Sequence, residues 1–94
     1  MKKKYSLKLI EGEFTPVQTR SVLHNLIGNK IQYHTKEAFS IKERLNGDVS
    51  HSEKRVRELK EASAQVEEIV KYTSEKGFDL KIESVIVLRF VKQA

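Results

Sequence analysis

Three histidines, His24, His34 and His51, are the side chains of this sequence best suited to metal binding or proton transfer. No two of them have the HxxxH or HExxH spacing that places two ligands on one face of a helix. His34 lies among apolar residues at helical spacing, which is typical of a histidine packed between two helices. His51 lies in a segment of helix-capping residues and is expected in solvent. The sequence therefore predicts neither a metal site nor a cofactor.

Arg20 and the carboxylates of Glu11 and Glu13 form the second group that could do chemistry. Arg20 is expected on the inner face of a helix, where a guanidinium needs a carboxylate partner. The candidates for that partner are Glu13, Glu67 and Glu68. A structural ion pair is the favoured interpretation, and a ligand site made by Arg20, His24 and Glu13 is the alternative. Acid–base catalysis by Glu11 and Glu13 would need a cleft that perturbs their pKa values, and the sequence indicates none, so we expect no enzymatic activity.

Two apolar ladders in the middle of the chain would position these side chains. The first steps by three or four residues through Leu23, Ile27, Ile31, His34, Ala38, Ile41 and Leu45. The second does the same through Val56, Leu59, Ser63, Val66, Val70 and Thr73. Such spacing keeps one stripe of a helix turned toward a partner. We therefore predict helices over 16–46 and 51–76, joined by a tight turn and packed antiparallel.

Residues typical of helix ends flank both ladders. Segment 15–18 reads as a capping box with proline at the first helical position. Segment 50–53 resembles a second capping box, and Gly77 suits the end of the second helix. Gly28 lies inside the first ladder, so a break of the first helix at Gly28 is the alternative to a continuous helix.

Alternating segments at the two ends of the chain predict strands over 4–11 and 78–91. In the first strand one face carries Tyr5, Leu7 and Leu9, and Gly12 is a candidate for a bulge or for the strand end. The predicted fold is a single α/β domain of the α+β type over residues 1–94. It has two layers in β-α-α-β order, with a long antiparallel helical hairpin packed on a two-stranded sheet.

The second predicted strand is apolar on both faces in its C-terminal half. We expect the helices to cover one face, formed by Ile86, Leu88 and Phe90. A second apolar stripe on the helices is expected to help, with Val22, Leu26, Tyr33, Ala62 and Ile69. The other strand face has no cover in this chain. Together with one projecting aromatic residue it predicts a protein interface made by Val85, Val87, Val91 and Phe39, used by a homodimer or by another protein. A homodimer would either pair the second strands edge to edge in a four-stranded sheet or pack two sheets face to face, and the sequence leaves both alternatives open.

The charge of the chain supports a weaker alternative function. Eighteen basic residues against 13 acidic ones give a net charge of +5, which suits weak, sequence-independent binding of nucleic acid. The predicted contacts are Lys2, Lys3, Lys4, Lys42, Arg44, Lys54, Arg55 and Arg57. Aromatic residues are not interleaved with these cations, so nucleic-acid binding is not favoured.

Composition limits the remaining classes of protein. The 94 residues include no cysteine, which excludes thiol chemistry and disulfides. No apolar run is long enough to cross a membrane and no signal peptide is recognisable, so we expect a cytoplasmic protein. The element order, with 30–34 (KIQYH) in the middle of the first helix and Glu43-Arg44 before the Asn46-Gly47 turn, resembles a group of small uncharacterised bacterial proteins. That resemblance covers most of the chain and implies the strand–helix–helix–strand order but no activity.

Overall fold

The structure, a computed structural model, describes residues 3–45 and 47–93, with the side chains of residues 44 and 45 left aside. The elements in chain order are β1 (Lys4–Phe14), α1 (Pro16–Leu45), α2 (Ser50–Lys76) and β2 (Leu80–Arg89). The strands pair antiparallel in a two-stranded sheet, and the helices pack on each other and on the sheet. The predicted fold class and β-α-α-β order are confirmed. Neither helix, within the described part of the chain, is long and apolar enough to cross a membrane.

The two ladders lie in the contact between α1 and α2, as their spacing predicts. Val66, Val70, His34 and Thr73 are buried, and the other ladder positions with a described side chain are half-buried. Leu45 lies outside the described side chains. The helix α1 runs through Gly28 without interruption, so the alternative of a break there is wrong. The hairpin is therefore a seam of apolar side chains with three polar residues in it, His34, Ser63 and Thr73.

The start of α1 and the end of α2 follow the predicted capping. The backbone N–H of Gln18 donates to Thr15 Oγ1 at 3.2 Å, and the N–H of Thr15 donates to Gln18 Oε1 at 3.0 Å, which is a reciprocal capping box. Gly77 has a φ of 77° in the left-handed region and donates its N–H to the carbonyl of Thr73. This conformation costs glycine no Cβ clash and turns the chain from α2 toward β2.

The predicted capping box at Ser50 is wrong. Ser50 is already the first helical residue, and the residue at the N-cap, Val49, makes no side-chain cap. Asp48 takes that role, because its Oδ1 accepts the backbone N–H of Ser50 at 2.9 Å. This bond lowers the pKa of the Asp48 carboxyl. Ser52, left free of the cap, donates its hydroxyl to Glu37 Oε1 of α1 at 2.7 Å and ties the two helices together near their turn.

A register shift in β1 decides which residues share each face of the sheet. The shift lies between Lys8 and Ile10, so the extra residue is Leu9 and the predicted bulge at Gly12 is wrong. Beyond the bulge the alternation changes phase. The apolar face, as we call it, carries Tyr5, Leu7, Ile10, Gly12, Phe14, Leu80, Ile82, Ser84, Ile86 and Leu88. The opposite charged face carries Lys4, Ser6, Lys8, Glu11, Glu13, Lys81, Glu83, Val85, Val87 and Arg89.

The sheet runs across the hairpin rather than along it. The Cα positions extend over 50 × 37 × 14 Å. A helix of 30 residues is about 45 Å long, and a strand of 11 residues spans about 36 Å. Each long dimension therefore corresponds to one of the two elements.

The helices consequently cover only one end of the apolar face. Ile10, Phe14, Leu80 and Ile82 are half-buried there. The expectation that the helices cover Ile86, Leu88 and Phe90 is wrong, because these residues lie at the other end and are exposed. The second helical stripe is likewise covered only in part. Its exposed members are Leu26, Tyr33 and Ile69.

Candidate functional site

Apolar side chains are mostly exposed in the described part of this chain. Only Val66 and Val70 are buried apolar residues, at 9% and 3% exposure, whereas sixteen large apolar residues are exposed. Nine of those sixteen lie on the sheet or just after β2, so the exposure is concentrated there: Tyr5, Leu7, Leu9, Val85, Ile86, Val87, Leu88, Phe90 and Val91. Contiguous apolar surface of this kind marks interaction sites in folded proteins.

The accessible surface and the radius of gyration are both larger than a compact domain of this size would have. The surface is 7957 Å², whereas a compact monomer of 10.9 kDa is expected to expose about 5,600 Å². The radius of gyration is 17.0 Å, against about 12 Å for a compact domain of this length. About 2,400 Å² of surface per chain is therefore exposed beyond what a compact domain needs.

The free end of the sheet, which we define as residues 3–8 and 85–91, is where this excess is most apolar. The pairing continues past β2, since the N–H of Phe90 donates to the carbonyl of Lys3 at 2.9 Å. The rings of Tyr5 and Phe90 lie 6.2 Å apart, centroid to centroid. Within the paired strands the apolar face at this end carries the uncharged residues Tyr5, Leu7, Ile86 and Leu88. Phe90 follows at its outer edge, where it pairs with Lys3. The free end is thus an ordered ribbon with an open apolar surface.

The predicted interface residues are exposed but do not form one surface. Val85 and Val87 lie side by side on the charged face, and Val91 follows them at 84% exposure. Phe39 is also exposed. It lies on α1, about 35 Å along the helix axis from Pro16, on the hairpin arm and away from the free end of the sheet. The valines and Phe39 therefore remain two separate predicted contacts.

The predicted nucleic-acid contacts are also divided between the sheet and the helical hairpin. Lys3 and Lys4 lie at the free end of the sheet, whereas Lys42, Lys54, Arg55 and Arg57 lie on the half of the hairpin near its turn. Arg55 is engaged by Glu58, with Nη1 2.6 Å from Oε2. Lys2 and the side chain of Arg44 fall outside the described residues. A phosphate backbone would thus meet two separate cationic groups, one on the sheet and one on the helical hairpin.

A polar cluster links the two helices near the sheet. Arg20 contacts Glu67 through Nε at 3.1 Å and Nη2 at 3.2 Å. His24 Nε2 lies 2.6 Å from Glu67 Oε1, and His24 Nδ1 lies 2.9 Å from Ser63 Oγ. Glu67 is therefore the carboxylate partner of Arg20. Glu13, the third member of the predicted ligand site, lies elsewhere, beside an open pocket lined also by Phe14, Gln18, Ser21 and Val22.

Ser63 is the member of this cluster that sequence reasoning missed. In an antiparallel hairpin, a step of four residues along one helix matches a step of four back along the other. Once Glu67 is paired with Arg20, the same step brings Ser63 to His24. The signal was present in the spacing, but it required the partner of Arg20 to be known first.

Comparisons of this chain with protein-family models, with curated proteins and with solved structures found no match. The resemblance to small uncharacterised bacterial proteins accordingly stays a prediction.

The contacts of the polar cluster resemble the hydroxyl–imidazole–carboxylate relay of serine hydrolases in their order. Acyl transfer also needs N–H donors aimed at the oxyanion next to the nucleophile. Ser63 lies in the middle of α2, where the backbone N–H groups are used by the helix itself. The open pocket of about 480 Å³ beside the cluster is lined by Arg20 and Glu67 rather than by Ser63. The arrangement is suited to joining α1 to α2.

The electrostatics of the cluster make its contribution to the pairing of α1 with α2 dependent on pH. The hydrogen bond with His24 lowers the pKa of the Glu67 carboxyl below its ordinary 4.5, and Arg20 adds to the effect. A carboxyl with a lowered pKa in the folded state stabilises the fold above its unfolded pKa. That stabilisation is lost as the pH falls through the lowered value.

We therefore expect Glu67→Gln to destabilise the protein most at neutral pH. The difference in unfolding free energy from the parent chain should shrink as the pH falls below 4.5, because the parent then loses the same charge. Urea titrations at a series of pH values would measure it. Glu68→Gln is the matched control, since Glu68 is exposed and has no ion-pair partner among the described residues. A Glu67→Gln effect that is constant with pH would contradict the assignment.

Proposed function

We propose that this protein is a small, non-enzymatic interaction module whose working form is an oligomer, most simply a homodimer. The observation that carries the proposal is the apolar free end of the sheet, which nothing in the described part of the chain covers. A two-stranded sheet is marginal by itself, and here only one of its ends is supported by the helices. A partner at the free end would supply the missing layer.

The size of the exposed surface supports the same proposal. Permanent homodimer interfaces bury roughly 2,000–5,000 Å² in total and resemble a domain core cut in half. The surplus of about 2,400 Å² in each chain would place a dimer that hides it within that range. A second copy offers the same apolar surface and is available wherever the protein is made, so self-association needs no further component.

Light scattering after size exclusion tests this proposal directly. We expect a mass of two chains at micromolar concentration. The apparent thermal stability should rise with protein concentration, because association is coupled to folding. A strict monomer at ~0.5 mM would refute self-association, since it would limit the binding energy to less than about 4 kcal/mol. The module would then have to act on a different protein.

A further inference from the structure

We infer that the second copy docks on the apolar face of the free end, where Leu7 and Leu88 lie, and not on the face that carries Val85 and Val87. This inference rests on the proposed self-association and specifies its surface. Both faces expose apolar side chains to a similar degree, so exposure does not choose between them. Leu88 is 49% exposed and Val87 is 46% exposed. Two other properties distinguish the faces: the charged residues on each face, and the continuity of the apolar surface with the part that the helices cover.

Along β1 and β2 the apolar face carries no charged residue. Lys3, which pairs with Phe90 just beyond the strands, adds a cation only at the outer edge of this face. The charged face carries Lys4, Lys8 and Arg89 around the two valines. If two copies stacked through the charged face about a two-fold axis, these cations would be brought near their own counterparts. Only Lys8 has an acidic partner among the described residues, Glu11 at 2.9 Å. Burial of unpaired like charges opposes association, so the charged face is better suited to solvent.

The bulge at Leu9 is what keeps the apolar face uncharged. Without the register shift, Glu11 and Glu13 would fall on the same face as Tyr5 and Leu7, because alternate residues of a strand share a face. The shift instead brings Ile10, Gly12 and Phe14 onto that face. Bulges re-aim side chains at functional positions in sheets. Here the result is one apolar surface that continues from the helix-covered end to the free end.

The covered end shows what the free end can bind. There the same face packs against the helices, and Phe14, Leu80 and Ile82 become half-buried. At the free end the exposed fraction is 37–57% for the five side chains Tyr5, Leu7, Ile86, Leu88 and Phe90. Two such faces can stack at a spacing of about 10 Å, as in packed sheets. A second copy would therefore continue the layer that the helices begin.

Adjacent residues of β2 provide a matched test of this inference. Leu88→Lys and Val87→Lys place the same charge on opposite faces at almost equal exposure. We expect Leu88→Lys to raise the dimer dissociation constant at least ~100-fold, because a lysine buried without a counter-ion costs several kcal/mol. Val87→Lys should change it only a few-fold. Sedimentation equilibrium measures both constants, and far-ultraviolet circular dichroism checks that each variant is folded.

The outcomes separate this inference from the proposed function. A parent chain that is monomeric refutes self-association itself. A dimeric parent that is split by Val87→Lys and not by Leu88→Lys places the interface on the valine face and overturns the inference. Equal loss in both variants, or in neither, also overturns it, because a contact through one face must discriminate between them.

Spin labels test the same surface without adding a charge. The chain has no cysteine, so Leu7→Cys and Ser6→Cys each give a single labelling site, on the apolar and the charged face respectively. We expect the label at residue 7 to be immobilised in the dimer and the label at residue 6 to stay mobile. The reverse pattern would overturn the inference even if Leu88→Lys failed to fold.

Discussion

A Val70→Asp variant is expected not to fold. Val70 is 3% exposed, and Val66 is the only other buried apolar residue in the described part of the chain. A carboxylate at that position would lose its hydration with no cation to pair it, at a cost of several kcal/mol. At the lower end of the usual range per residue, a chain of this length has a free energy of unfolding of about 5 kcal/mol. One substitution should therefore remove most or all of it.

The same substitution at Val17 provides the control. Val17 is 71% exposed in the first turn of α1, a turn that contains no acidic residue. An aspartate there should be neutral or slightly stabilising, because a negative charge suits the N-terminal end of a helix. Circular dichroism and thermal unfolding at equal protein concentration would compare the two variants. A Val70→Asp protein that melts within a few degrees of the parent would show that the centre of the hairpin seam has been misplaced.

A His34→Leu variant is expected to be more stable than the parent. His34 is 7% exposed, and neither ring nitrogen has a hydrogen-bond partner in the described part of the chain. The nearest carboxylate oxygen, on Glu37, lies 3.6 Å from Nδ1, which is beyond hydrogen-bonding distance. Leaving buried polar atoms unpaired costs about 1–3 kcal/mol. Leucine fits the apolar ladder and removes that cost, so the Tm should rise by at least about 4 °C.

His24→Leu is the contrasting variant. The ring of His24 contacts Ser63 and Glu67 through its two nitrogens, so its loss deprives both of a partner and should lower the Tm. Changes in Tm of opposite sign for His34→Leu and His24→Leu would establish that the surroundings of each histidine, and not the residue type, decide its contribution to stability. A fall in Tm for His34→Leu would mean that the His34 ring makes a stabilising contact, either with Glu37 of the same helix or with a partner outside this chain, such as bound water or a second copy.

The helical hairpin could be predicted from the sequence because its information is local. The three- and four-residue steps of the ladders fix which side of each helix faces inward, and Thr15 and Gly77 fix where the hairpin begins and ends. Asp48, and not Ser50, caps α2, because several residues near a turn can accept the same N–H groups. Only the backbone conformation selects among them.

The sheet was harder to predict because its information is not local. Leu7 and Leu9 suggest one alternation in β1 and Ile10 and Phe14 the opposite one, and only the pairing with β2 shows that a bulge joins them. The angle between the sheet and the helices is also absent from any periodicity. A sheet lying along the hairpin would have covered Leu88, and one lying across it does not. The candidate interface therefore depended on a crossing angle that the sequence does not state.

The pairing of the first and last strands also sets an order of folding. β1 and β2 are separated by the whole helical hairpin, so closing them as a free loop of ~65 residues would cost about 2.5 kcal/mol more than closing a four-residue turn. The helices, joined by a short turn, can associate first and bring the two strands together. We therefore expect the sheet to form after the hairpin and to open before it. A partner bound at its free end would hold both ends of the chain, and would slow the opening of the entire protein.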